Sequence, residues 1–203
     1  RTGLATDFEA RHTARQFQAD YVVTPEIAEL GRRRQYLAAA VQFSLPGIPS
    51  IYYGDEVGME GFCDPFNRAP YQVLDTEIRK WYETLAKLRK AHPAMEGGAA
   101  AMFAPSLDVI GILRTTADGA DAFGDGQKRE TVLTLVNRAS KEVNCCFDLH
   151  DMMVGLETGV QQAILRAGYT KLESLTDDET IDIVDGNLEL NMKPMSVKIF
   201  KLF

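Results

Sequence analysis

Apolar residues recur every three or four positions in the first half of the chain and gather into short, turn-bounded runs in the second. Up to about Val23 the sequence is polar and irregular, with no clear period. Thr24-Pro25-Glu26 then reads as a helix start, with threonine as N-cap, proline at the first helical position and an acid in the first turn. Ile27, Leu30, Leu37, Ala38 and Val41 supply its apolar face, and Phe43-Ser44-Leu45-Pro46-Gly47 ends it. Residues 48–53 form an apolar and aromatic run closed by Gly54, which predicts a strand buried on both faces, as in a parallel sheet covered by helices. Without a partner strand on either side, this run should instead be poorly ordered, reorganised or paired with another chain. A loop rich in Gly, Asp, Asn and Pro continues to Pro70. A second helix begins near Asp75-Thr76-Glu77 and carries the stripe Ile78, Trp81, Tyr82, Leu85 and Leu88. It stops before His92-Pro93, because the residue preceding a proline is driven out of the α region. Trp81 lies within the stripe and reads as a packing anchor rather than a ligand-binding platform.

Beyond Gly97-Gly98 the character changes. Strands are expected at Val109–Thr115, Thr131–Asn137, 142–148, 181–184, 188–192 and 197–203, with turns at Asp118-Gly119, Gly124-Asp125-Gly126 and Asp185-Gly186-Asn187. Many short strands with little helix point to an antiparallel sandwich. The expectation is therefore an α+β chain, with a helix–strand–helix portion over residues 1–96 and an all-β domain over 97–203. At about 105 residues, the latter is large enough to stand alone.

Charge and composition narrow the partners. With 22 basic and 29 acidic residues, the formal net charge of -7 argues against nucleic acid. Arg32, Arg33 and Arg34 accordingly read as a solvated or ion-paired face. No apolar run approaches the roughly 20 residues of a membrane-spanning helix, so no membrane partner is expected. The N-terminus carries no apolar signal-peptide core, which means little if the chain starts inside a larger protein. Three cysteines, two of them adjacent at Cys145 and Cys146, make neither a disulfide framework nor a zinc pattern. They read as small buried thiols in a reducing compartment, which suggests a cytoplasmic protein with no metal and no cofactor.

The run Leu45-Pro46-Gly47-Ile48-Pro49-Ser50, then Ile51-Tyr52-Tyr53-Gly54-Asp55-Glu56, resembles the last barrel strand of the α-amylase superfamily. Val57-Gly58-Met59-Glu60-Gly61 and Asp64-Pro65-Phe66-Asn67-Arg68 look like its neopullulanase and cyclomaltodextrinase branch. Leu85-Ala86-Lys87-Leu88-Arg89-Lys90-Ala91-His92-Pro93-Ala94 resembles the final barrel helix, and the β tail is similar to the C-terminal sandwich. The resemblance implies the end of a TIM (β/α)8 barrel followed by an antiparallel, Greek-key-like β-sandwich. It also implies a retaining hydrolase of α-glucosidic bonds in starch-like oligosaccharides, with a homodimer possible in the parent. An alternative is a non-catalytic glucan-binding or structural module.

In the family the catalytic carboxylates come from earlier barrel strands, and the transition-state aspartate belongs to a His-Asp pair upstream of this chain. His150-Asp151 has the dipeptide but sits in the β domain, so no catalytic residue is assigned. Asp55 and Glu56 are rejected as a catalytic pair, since neighbours on an extended strand face opposite ways. One carboxylate there serves better as a structural hydrogen-bond partner. By resemblance, Asp64 and Arg68 line the donor side of the site and bind an α-glucan or malto-oligosaccharide. The chemistry suits them, because a carboxylate accepts from vicinal hydroxyls and a guanidinium donates in a fixed fork. A salt bridge that only orders the loop is the plainer reading, and the two are compatible. Tyr52 and Tyr53 are expected inside the barrel wall, while Phe62 and Phe66 could face ligand. Gln72-Val73 after Tyr71, and Ala69 after Arg68, depart from the family pattern and put the specificity in doubt.

Overall fold

The computed structural model describes residues 15–203. These fall into two compact units, one holding the residues up to Tyr36 with Ser50–Glu83, the other Leu37–Pro49 with Thr84–Phe203. Both long helices contribute to each unit.

In the first unit a short helix, α1 (Arg15–Asp20), precedes the opening turns of α2 (Pro25–Ser44). The helix start follows the expected chemistry: Thr24 Oγ1 accepts from Ile27 N–H at 3.4 Å, and Pro25 needs no partner for its nitrogen. The arginine run is ion-paired, Arg32 with Glu29 and Asp75, and Arg33 with Glu29. Helix α3 (Thr76–Ala91) starts where the sequence places it. Asp75 Oδ1 takes the N–H groups of Glu77 and Ile78, and its Oδ2 meets Arg32 Nε at 2.7 Å. Trp81 stacks on Tyr36 at 5.7 Å and donates its indole N–H to the Tyr36 carbonyl, as a packing anchor does.

Residues 48–53 do not form the expected strand. They are irregular, and no strand pairs with them among the described residues. Ile48 is 96% exposed, and Ile51, Tyr52 and Tyr53 are exposed too. An apolar run becomes a buried strand only when neighbours take its backbone groups and cover both faces; without them its N–H and C=O groups turn to solvent.

The second unit is built on a six-stranded antiparallel sheet. Its strands are β1 (Ala99–Ser106), β2 (Val109–Thr115), β5 (Thr131–Asn137), β10 (Ser196–Leu202), β7 (Lys171–Ser174) and β8 (Thr180–Asp182), in the order 1-2-5-10-7-8. β6 (Val143–Asp148) and β9 (Asn187–Met192) form a separate antiparallel pair, and β3 (Ala120–Asp121) with β4 (Gly124–Asp125) a small ribbon. Strand alternation sends Leu133, Leu135, Leu113 and Phe200 to one face of the large sheet. There they share a core with Cys145, Phe147, Leu188 and Leu190 of the β6–β9 pair and with Val160 and Ile164. The last two lie on helix α6 (Thr158–Ala167), which, with α5 (Leu149–Met152), interrupts a region expected to be all β. Asp148 and Asp151 form a capping box around α5, so the His150-Asp151 dipeptide is helix-end chemistry.

The opposite sheet face is buried as well. Ile112, Thr134 and Ile199 lie side by side across three strands, each no more than 1% exposed. The C-terminal end of α2 reaches this face, where Ser44 Oγ donates to Thr134 Oγ1 at 2.8 Å. Leu37, Ala39, Ala40, Phe43 and Ser44 are the buried positions of that helix end, whereas Ala38, expected on the apolar face, is exposed.

Two buried arginines hold the helix end. Arg89 donates to the carbonyls of Phe43, Leu45, Gly47 and Glu96, and Arg114 to those of Ser44 and Gly98. The last helical carbonyls have no intrahelical donors, and the negative end of the helix dipole favours cations. Burial, then the nearby Arg89 charge, pushes the Arg114 guanidinium down to about 10, which still leaves it charged at neutral pH. Nearby, α4 (Pro93–Gly97) is tied to the sheet through Glu130, whose carboxylate takes Ala94 N–H at 3.1 Å and meets His92 Nδ1 at 3.2 Å.

The three cysteines are free thiols, but only Cys145 is buried. Its neighbour Cys146 points the other way along β6, and Cys63 lies on an exposed loop, so the expectation of three buried thiols fails for two. Among the described residues no helix is long and apolar enough to cross a membrane, and no cluster of His, Cys, Asp and Glu could hold a metal ion.

Candidate functional site

The candidate loop lies wholly within the first unit, and its base is closed by backbone bonds. The buried Val57 carbonyl accepts from both Leu74 and Asp75 N–H, at 3.1 and 2.9 Å. At the loop's start the chain turns through Gly54 at φ 96°, where a Cβ would lie 2.7 Å from Met59 Sδ. Only glycine suits both the left-handed backbone and that close approach.

Asp55 and Glu56 sit in a 3-10 turn, Asp55–Val57, rather than on an extended strand. Glu56 is a structural acceptor, as expected of one carboxylate here. Its Oε2 takes Gly54 N–H at 2.9 Å, and its hydrogen bond to the Tyr71 hydroxyl raises that phenol from its ordinary value. The Asp55 carbonyl accepts from the Gln35 side chain.

Asp64 and Arg68 come together as the sequence proposes. Arg68 Nε lies 2.7 Å from Asp64 Oδ1, and the side chains are 70% and 62% exposed. A second 3-10 turn, Phe66–Arg68, brings the two ends of the pentapeptide around. Phe66 N–H donates to Cys63 C=O at 2.9 Å and Arg68 N–H to Pro65 C=O at 3.0 Å. An ion pair this exposed contributes only about 0–1 kcal/mol to stability. The pair leaves an acceptor and a donor side by side at the surface.

The aromatic residues divide differently from expectation. Tyr52 and Tyr53 are not walled in: their rings meet at 5.0 Å and both are about half exposed. Phe62 and Phe66 are partly buried, with Phe62 against the edge of Tyr21 at 5.8 Å. Two residues hold the loop, Tyr53 in a role other than the one expected and Gln18, which sequence reasoning did not single out. The Tyr53 hydroxyl donates to the Ala69 carbonyl at 3.1 Å, and Gln18 Oε1 accepts from Cys63 N–H at 3.0 Å. No local pattern reveals either bond, since the second joins residues 45 positions apart.

No protein-family model matches the chain. It is 26% identical over 169 residues to an amylopullulanase of Thermoanaerobacterium saccharolyticum, a match covering 82% of this chain and 12% of the relative. Over 75 residues it is 40% identical to a cyclomaltodextrinase of a Bacillus species, covering 35% of this chain and 13% of the relative. The chain thus spans about an eighth of the length of either relative. In three dimensions it is similar to the crystal structure of an Anoxybacillus α-amylase, with a TM-score of 0.65 and 23% identity over 87% of this chain and 34% of that one. The chain is thus similar in sequence to amylopullulanases, cyclomaltodextrinases and an α-amylase, and it shares its fold with α-amylase-family enzymes.

Proposed function

We propose that this chain is the C-terminal portion of a retaining α-glucan hydrolase acting on starch-like oligosaccharides, and that Asp64 and Arg68 bind sugar hydroxyls within it. On this reading residues 1–96 complete a (β/α)8 barrel and 97–203 form a C-terminal sandwich domain, while the catalytic carboxylates belong to parts of the protein outside this chain. The observation that carries the reading is the solvent-facing Asp64–Arg68 pair, on the loop that follows the family-like run 51–56. A carboxylate beside a guanidinium matches two adjacent hydroxyls of glucose, accepting from one and donating to the other. The sequence similarity to a cyclomaltodextrinase supports the assignment to α-glucosidic substrates.

The test is turnover of cyclodextrin, pullulan and starch by the full-length protein and by this chain alone. The full-length protein should hydrolyse at least one of them, and this chain none. Asp64→Ala and Arg68→Ala in the full-length protein should each raise KM by about tenfold, the loss of one or two charge-assisted hydrogen bonds. Turnover by the chain alone would overturn the assignment of catalysis to other parts of the protein.

A further inference from the structure

The pentapeptide that carries Asp64 and Arg68 is flanked at each end by a side-chain hydrogen bond to its backbone. Directly before Asp64, the Cys63 N–H is held at 3.0 Å by Gln18 Oε1. Gln18 is only 6% exposed, and Phe62, one residue further back, packs against the edge of Tyr21. Directly after Arg68, the Ala69 carbonyl is held at 3.1 Å by the Tyr53 hydroxyl. Between the clasps the backbone makes the two short-range bonds of the 3-10 turn, from Phe66 and Arg68. The Asp64 and Arg68 side chains are themselves mostly exposed, so packing does not fix them. Their separation and direction then depend on their own ion pair and on the backbone, which these two clasps hold at its ends.

We infer that Gln18 and Tyr53 are positioning residues for sugar binding: they hold the Asp64–Arg68 turn in the shape that presents both groups, without touching the sugar. The inference rests on the reading of Asp64 and Arg68 as ligands for glucose hydroxyls. Two exposed charged side chains on an unanchored turn would lose conformational freedom on binding, and pre-fastening the turn removes much of that cost. Tyr53 offers a competing role, because its ring is 42% exposed and could stack on a sugar face. The two roles separate cleanly: positioning needs the hydroxyl, stacking needs only the ring.

The experiment compares Tyr53→Phe and Gln18→Leu with Asp64→Ala and Arg68→Ala in the full-length protein, by amide hydrogen exchange and by maltohexaose kinetics. Positioning predicts that both clasp variants speed exchange at the Phe66 and Arg68 amides by about three- to tenfold, the worth of one net hydrogen bond. Exchange in the middle of α3 should stay as it was. KM should rise by a similar factor with kcat within about twofold, and Tyr53→Phe should add nothing to the KM of an Asp64→Ala/Arg68→Ala double variant, since it acts through those two residues. Unchanged exchange at Phe66 and Arg68 in both variants would sink the inference. So would a Tyr53→Phe variant with normal KM beside a defective Tyr53→Ala, which would make Tyr53 a stacking platform. If exchange rises while Asp64→Ala and Arg68→Ala leave KM unchanged, the clasps are real and the sugar-binding reading is what fails.

Discussion

Glu130 shows how a single buried charge is made tolerable. Burial alone would raise its carboxyl, but the hydrogen bonds from the His92 ring and the Ala94 N–H, together with the nearby His92 and Lys201 charges, outweigh that and leave it below its ordinary value. A lowered carboxyl contributes stability that is present above the unfolded-state value of about 4.3 and is lost as pH falls through the lower, folded-state value. Glu130→Gln keeps the volume and an acceptor but loses the charge. At pH 7 it should cost about 1–3 kcal/mol. The deficit relative to wild type should shrink as the pH falls below about 4, read from urea unfolding midpoints at each pH. A deficit that stays constant from pH 7 to pH 3 would remove the charge from this account. Asp75 does a comparable job at the start of α3, receiving two backbone N–H groups and the Arg32 guanidinium. Asp75→Ala should lower the unfolding free energy by about 1–2 kcal/mol, and Asp75→Asn should recover the capping part of that loss.

At the scale of elements, the sequence is most legible where local chemistry and burial agree. The starts of α2 and α3 follow from Thr24-Pro25 and Asp75-Thr76, and β2 and β5 match their apolar runs residue for residue. Strand β1 was illegible because Ala99–Ser106 is alanine-rich and ends in Pro-Ser; its place depends on pairing with β2. Helix α6 hides for a similar reason, since Val160 and Ile164 announce a short stripe only once a core exists to bury it. Residues 48–53 fail in the other direction: their pattern is that of a buried strand, and no partner lies beside them among the described residues. For the candidate site, the Asp64–Arg68 pairing could be read from its spacing and from family likeness. Its fastening by Gln18 and Tyr53 could not, because both bonds depend on tertiary contacts.

Across the second unit, the β sheet is covered on two sides, not one. Its inner face meets the β6–β9 pair and α6, while Ile112, Thr134 and Ile199 on the other face are buried in a unit that includes Leu37–Pro49 and Thr84–Gly98. The size of residues 97–203 suits independent folding, but cutting there strips the second face of its helical cover. The isolated 97–203 segment should bind a hydrophobic dye and unfold at markedly lower urea than the whole chain. Dye-free behaviour with an unchanged midpoint would mean that the helical cover contributes nothing.

The arginine pair at the end of α2 gives that cover a further property. Arg89 and Arg114 grip carbonyls 43, 44, 45 and 47 from the helix side and 96 and 98 from the approach to β1. Helix ends ordinarily fray with little cost, as local openings independent of the rest. Unwinding the last turn of α2 would take from two interior cations the carbonyls of Phe43 and Ser44 and leave their charge less well solvated. That turn therefore opens only when the sheet beneath it opens, and the helix end and the β sheet behave as a single foldon.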